Sequence, residues 1–218
     1  MWNTMMQNNL GWKQGAKDGL PIALGYLSVS FTFGMAAAAA GLSAGEAVMI
    51  SATNLTSAGQ FAGLTLIQSQ ASLFEMALTT LVINLRYALM SLSLAQKLDP
   101  AMSRLQKAML AFGNTDEIFA VAVSHPVVQF HYMLGLILTP MAGWVGGTFL
   151  GCAFSALLPE AVRAAFAVAI YGMFIAIVAP VARQLKSVAI VVGIAVAMSV
   201  TLHVCPLFSW ISEGFSII

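Results

Sequence analysis

The chain has 218 residues, 60% of them hydrophobic and 8% charged, with a formal net charge of +1. A mean hydropathy of +0.89 leaves too few charges to cover a water-soluble core, and the near-neutral balance supplies no basic field for nucleic acid. The composition predicts an all-α, polytopic helical membrane protein, in which every intramembrane charge needs a partner.

The chain opens with a polar, mildly basic stretch, read here as a cytoplasmic N-terminal segment over 1–19, ahead of a single transmembrane domain over 20–218. The first apolar run is too long for the apolar region of a cleaved leader, so none is expected. Runs of about 20 residues at Leu20–Ala40, Leu73–Ala95, His131–Ala156, Ala161–Val181 and Val188–Ser209 predict spanning helices. Two other segments differ. Glu46–Gln68 is long enough to cross, but its middle reads Asn54-Leu-Thr-Ser-Ala-Gly-Gln60. Those residues favour caps and turns over helix interiors, and in lipid such a break survives only against protein or a wet cavity. The alternative is a small-residue packing face. Asn114–Val127 is too short to cross and opens with Asn-Thr-Asp-Glu. The expected architecture is five to six full spans plus one or two broken or re-entrant segments.

Charge bias favours re-entry. If both segments re-enter, Lys13, Lys17, Lys97, Arg104, Lys107, Arg183 and Lys186 share the cytoplasmic side, with only Arg163 opposite and Arg86 inside a span. A full crossing by Glu46–Gln68 segregates the cations less well. Against this, Gly45-Glu46-Ala47-Val48 and Pro159-Glu160-Ala161-Val162 each follow a Gly/Ala-rich span. They hint at inverted halves, 20–95 and 131–209, in which Glu46–Gln68 crosses.

Arg86 is the sharpest candidate for chemistry. It lies roughly 13 residues into Leu73–Ala95, too deep for easy snorkelling. Its guanidinium can grip a substrate carboxylate bidentately or form a structural pair with Glu75, Asp116 or Glu117. Asp116 and Glu117 fall in the first turn of a short helix capped by Asn114 or Thr115. They are ordinary N-terminal acids, or carboxylates facing a cavity that bind an amino group or carry a proton. Asn54, Thr56, Ser57 and Gln60 offer neutral hydrogen bonds to a zwitterionic head group. His203, in the last apolar run, is either a packed histidine or a proton relay. His125 and His131 flank a Pro-containing turn and read as interfacial. Gly34, Gly41, Gly143, Gly146, Gly147 and Gly151 read as helix-packing positions. Cys152 and Cys205 sit in separate apolar runs and suggest no disulfide. No nucleotide, metal or nucleophile motif is present, so neither enzyme activity nor a cofactor is expected.

Several motifs together carry a resemblance. Asp18-Gly-Leu-Pro-Ile22 opens the first span, followed by Phe31-Thr-Phe-Gly34, Gly41-Leu-Ser43 with Glu46-Ala47, and Ser57-Ala-Gly-Gln-Phe-Ala62. Asn84-Leu-Arg-Tyr87, Ser91-Leu-Ser-Leu94 and Thr115-Asp-Glu117 complete the series. Their order resembles the AzlC-type large subunit of branched-chain amino acid exporters. The resemblance implies a bacterial inner-membrane transporter driven by an ion gradient. It also implies a small AzlD-type membrane subunit as partner and an aliphatic amino acid as substrate. The chain departs from the pattern where Tyr87 follows Arg86 in place of a common His, and at Ser57–Gln60 and Met90. The alternative reading is the permease subunit of an ABC-type amino acid importer.

Overall fold

A computed structural model describes residues 11–204, except for the side chains of several positions between 166 and 181 and that of His203. Within those residues the chain forms helices and no strand. The helices are α1 (Trp12–Ala39), α2 (Ala44–Thr53), α3 (Ser57–Gln68), α4 (Leu73–Ala95), α5 (Arg104–Phe112), α6 (Asp116–Val123), α7 (Phe130–Phe154), α8 (Glu160–Gln184) and α9 (Lys186–Val204). Three of them, α1, α4 and α7, are long and apolar enough to cross a membrane. The helix predicted from Leu20 begins earlier, at Trp12. The interruption predicted over Asn54–Gln60 is confined to Asn54–Thr56, because Ser57–Gln60 form the first turn of α3.

The turns are built by local chemistry. Gly41, at φ +87°, ends α1, and Leu42 N–H returns to Ala37 C=O at 3.0 Å. A residue with a Cβ resists that left-handed backbone. Ser43 and Glu46 then form a reciprocal capping box that starts α2. Thr56 caps α3, Ser72 caps α4, and Thr115 caps α6 through their side-chain oxygens.

The scaffold is the pair α1 and α7, which makes the most extensive helix contact. In lipid, helices gain little from hiding apolar surface from one another, so close backbone approach matters most. Here glycine permits it. A Cβ on Gly143 would meet Ala23 O at 2.4 Å, one on Gly147 would meet Leu27 O at 2.5 Å, and one on Gly151 would meet Phe31 O at 2.0 Å. Gly34 answers from α1, where a Cβ would stand 2.2 Å from Thr148 O. A Cβ at Gly41 or Gly146 would meet no described atom within 4 Å; the first serves the turn, and the second faces away from α1. The contacts rise together in sequence, so α1 and α7 run parallel.

The two halves of the broken segment fold back on each other. Ala47 of α2 and Leu64 of α3 meet Phe33 and Ala37 in one buried cluster, Phe61 packs edge-on against Phe33 at 5.5 Å, and Gln60 reaches back to Ser51. Residues so far apart in sequence cannot meet in a helix that runs straight on. Both ends of this hairpin therefore lie toward the Ala39 end of α1, and its tip, Asn54–Thr56, points to the middle of α1. The α5–α6 pair occupies the opposite end, where Leu110, Ile118 and Ala122 pack with Tyr132, Met133 and Leu136 of α7. By contrast, α8 is continuous through Glu160–Gln184.

Candidate functional site

The hairpin tip, the start of α6 and the middle of α4 converge on Tyr26. Its Oη donates to Glu117 Oε2 at 2.5 Å and lies 2.6 Å from Thr115 Oγ1. Its ring packs edge-on against Trp144 of α7 at 5.1 Å. Arg86 reaches from α4 and pairs with Asp116 at 2.9 Å. The same Nη2 lies 3.3 Å from Tyr87 Oη. Of the partners considered for Arg86, the structure selects Asp116.

This arrangement follows from the sequence around it. Thr115 caps α6, which sets Asp116 and Glu117 in the first turn beside the exposed N–H groups. Adjacent helical positions point in different directions, so Asp116 turns to Arg86 while Glu117 turns to Tyr26. Asn114, one residue earlier, donates to Ser91 of α4 at 3.1 Å. The four consecutive residues Asn114 to Glu117 thus tie the start of α6 to α4 and α1.

Three linked spaces surround the charges. A central one of about 30 Å³ is bounded by Tyr26, Thr56, Ser57, Arg86, Asp116 and Glu117 among others. A larger cavity of about 510 Å³ runs along α1 past Pro21, Ile22, Gly25 and Val29, with Ser57, Glu117 and Trp144 at its polar end. A third, of about 150 Å³, is bounded by Asn54, Asn84, Tyr87, Asn114 and Thr115 among others. Around these spaces Asn84 Oδ1, Asn114 Oδ1 and Trp144 Nε1 are buried with no hydrogen-bond partner among the described residues; a fourth such atom, Gln60 Oε1, does not line them. A buried polar atom without a partner costs about 1–3 kcal/mol, so these three are places where a polar ligand gains most. Their chemistry is complementary: two acceptors on one side and an indole donor on the other.

Of the sequence-predicted residues, the structure brings Asn54, Thr56, Ser57, Arg86, Asp116 and Glu117 to these spaces. Gln60 goes elsewhere. It is 1% exposed and donates to Ser51 Oγ at 2.7 Å; Ser51 lies 2.6 Å from Thr148 Oγ1, which donates to Trp144 C=O. That chain bonds α3 to α2 across the break and holds both to α7. Gln60 therefore shapes the hairpin from behind. The side chain of His203, and Cys205, lie outside the described residues.

The chain matches the family described as AzlC protein over residues 21–158. It belongs to the AzlC family. It is 34% identical over 147 residues to the inner membrane protein YgaZ of Escherichia coli (strain K12), covering 65% of this chain and 60% of YgaZ. An uncharacterized membrane protein of Archaeoglobus fulgidus is 34% identical over 190 residues, 86% of this chain and 84% of that protein. An uncharacterized membrane protein of Helicobacter pylori (strain J99) is 32% identical over 143 residues, 62% of each chain. No solved structure matches. The chain is thus a membrane protein of the AzlC family, and the family match contains every residue of the central space.

Tyr26, Asn84, Asn114, Thr115 and Trp144 join the site without having been singled out in the sequence as binding groups. One signal for Tyr26 was available: a hydroxyl inside the first apolar run needs a partner by the same rule that marks Arg86. Trp144 gave no comparable signal, since tryptophan is common in apolar helices and its unpartnered nitrogen is visible only in three dimensions.

Proposed function

We propose that this AzlC-family chain is the large subunit of a secondary transporter that exports branched-chain or other aliphatic amino acids, driven by an ion gradient. The observation that carries the reading is the opposed Arg86–Asp116 pair, set between two short helical elements that enter from opposite ends of α1 and open on a largely apolar cavity. Such broken elements at mid-depth are where transporters bind polar groups in lipid.

A zwitterion fits the charges. Its carboxylate takes the place of Asp116 on Arg86 and accepts from Trp144 Nε1; its ammonium takes the place of Arg86 on Asp116, with Glu117 beside it. In the empty protein the pair neutralises itself, so neither charge is stranded in lipid. The side chain of the substrate lies along Pro21, Ile22 and Val29. Such a wall separates substrates by only about 1–3 kcal/mol per methylene, so several aliphatic amino acids share the route. The wider expectations belong to the same reading. They are five to six spans in a bacterial inner membrane, a cytoplasmic N-terminus, a small AzlD-type membrane subunit, no cofactor and no enzymatic reaction. Exposed Leu81, Leu85, Leu89 and Leu92 along α4 supply an apolar face for lipid or that subunit.

Efflux of labelled L-leucine and L-valine from cells expressing the chain with its small subunit tests the proposal. Arg86→Ala, Asp116→Asn and Glu117→Gln, matched for membrane abundance, each lower efflux by roughly tenfold or more, the scale of about 1.4 kcal/mol or above. Arg86→Lys keeps the charge but loses the planar fork, and recovers little. Unchanged efflux in all three neutralised variants removes this site, and a scaffold without transport activity becomes the better reading.

A further inference from the structure

A second titratable group of residues lies at the other end of α6. Tyr132, the third residue of α7, is fully buried. Its Oη donates to Asp18 Oδ2 at 2.9 Å and lies 2.8 Å from His125 Nε2. Since the phenol proton points at the carboxylate, His125 Nε2 is the donor of the second bond. The three residues form an ordered chain, His125 Nε2–H to Tyr132 Oη–H to Asp18 Oδ2. Asp18 also accepts from Gln14 at 2.7 Å.

The surroundings hold this chain in place. Gly15 lets α1 approach so closely that a Cβ there would stand 1.9 Å from Tyr132 O. The imidazole packs edge-on against the phenol ring at 4.9 Å. The segment that carries His125 is pinned: Val128 N–H donates to Lys97 C=O at 2.8 Å, Asp99 N–H to Val128 C=O at 3.0 Å, and Lys97 Nζ to Val123 C=O. Other charged or titratable groups on the packed elements are Lys13, Lys17 and Tyr26 on α1, Lys97 and Asp99 before α5, Arg104 and Lys107 on α5, Asp116 and Glu117 at the far end of α6, and His131 and Cys152 on α7. Asp99 is engaged with Ala101 N–H at 2.9 Å. Among the described residues, Asp18 is the carboxylate bonded to Tyr132.

We propose that His125, Tyr132 and Asp18 form a proton-transfer chain between solvent and the α1 side of the main cavity. His125 is partly exposed and takes a proton from water on Nδ1. Its Nε2–H bond then breaks as a Tyr132 O–H bond forms, while the original Tyr132 O–H breaks and an Asp18 Oδ2–H bond forms. The net change is one proton gained on Asp18 and a tautomer switch in His125; no charge is left on the phenol. Asp18 lies one turn before Pro21, the first residue of α1 that lines the cavity. The helix α6 connects the two sites, for Glu117 at its start bonds Tyr26 and His125 just past its end bonds Tyr132. The assignment of this proton to the driving ion rests on the transport reading above; the proton transfer itself does not.

Two measurements separate the two claims. In detergent-solubilised full-length protein, a downward pH jump followed by infrared spectroscopy reports carboxyl protonation. A carboxyl band absent from Asp18→Asn is expected in the wild type, and its rise slows by at least about tenfold in Tyr132→Phe, which keeps the ring and loses only the hydroxyl. His125→Gln gives the same test should Tyr132→Phe not fold. A band that rises at the wild-type rate in those variants, or no Asp18 band at all, overturns the chain. In proteoliposomes that hold the protein together with its small membrane subunit, labelled L-leucine exchange at equal pH continues in Tyr132→Phe, while accumulation driven by a pH gradient falls by at least about tenfold. Undiminished gradient-driven accumulation overturns the coupling role. Wild-type protein that neither exchanges nor accumulates L-leucine defeats the transport reading alone, and the infrared result still decides the proton-transfer chain.

Discussion

At the scale of single residues, neighbouring glycines of α7 play opposite parts. Gly147 is pressed on Ser30 Oγ and Leu27 O, so a methyl group there would sit 2.1 and 2.5 Å from them. Gly146 faces open space. Gly147→Ala is expected to destabilise the detergent-solubilised protein by roughly 1–3 kcal/mol through overpacking. Gly146→Ala is expected to be neutral or to stabilise by up to about 1 kcal/mol through helix propensity. A thermal melt of the two variants side by side checks the sign of each. The sequence marked both as packing positions, because a period of four residues does not reveal which of two adjacent glycines meets the partner helix. Arg86 was legible for a firmer reason: a deep charge must find an opposite charge, and the structure supplies Asp116. Gln60 was less legible, because burial and polarity look alike whether an amide binds a ligand or braces a turn. Ser51→Ala removes the acceptor for Gln60 and is expected to cost roughly 1–3 kcal/mol of stability, read in the same melt.

Helical elements carry the next level. The break after α2 was visible as a cluster of cap-forming residues, and the structure narrows it to three positions. What sequence alone left open was direction, since the same polar stretch suits a kinked crossing or a fold-back. The choice is made by Phe33, which gathers Ala47 and Leu64 onto one side, a contact between distant segments. The short helix α6 depends on its cap in the same way. Thr115 Oγ1 both accepts from Ile118 N–H and meets Tyr26 Oη. Thr115→Val therefore removes a cap, typically about 1 kcal/mol, and the Tyr26 contact together. Since Tyr26→Phe removes that contact too, the double variant is expected to lose less than the sum of the singles by roughly 0.5 kcal/mol or more. Additive losses in a double-mutant cycle would separate the two residues.

For the whole molecule, the organising relation is a parallel pair, α1 and α7, with a short element inserted from each end. The hairpin α2–α3 comes from the Ala39 end and α5–α6 from the Trp12 end, and they meet at Tyr26, Trp144 and Arg86. This places the cations Lys13, Lys17, Lys97, Arg104 and Lys107 together at one end, as the charge bias of the sequence anticipates for re-entry. It also gives the proposed transport site two separate barriers, one per inserted element. Movement of either element alone opens the site to one side, which is what alternating access requires. Single cysteines at Gly45 and Ala71, at the two ends of the hairpin, and at Ser103, before α5, test this plan most directly. They are introduced singly where Cys152 and Cys205 are replaced by alanine, and labelled in sealed vesicles with a membrane-impermeant maleimide. Positions 45 and 71 are expected to label from the same face and position 103 from the opposite one. Labelling of 45 and 71 from opposite faces would mean that the segment crosses the bilayer, and would contradict the account.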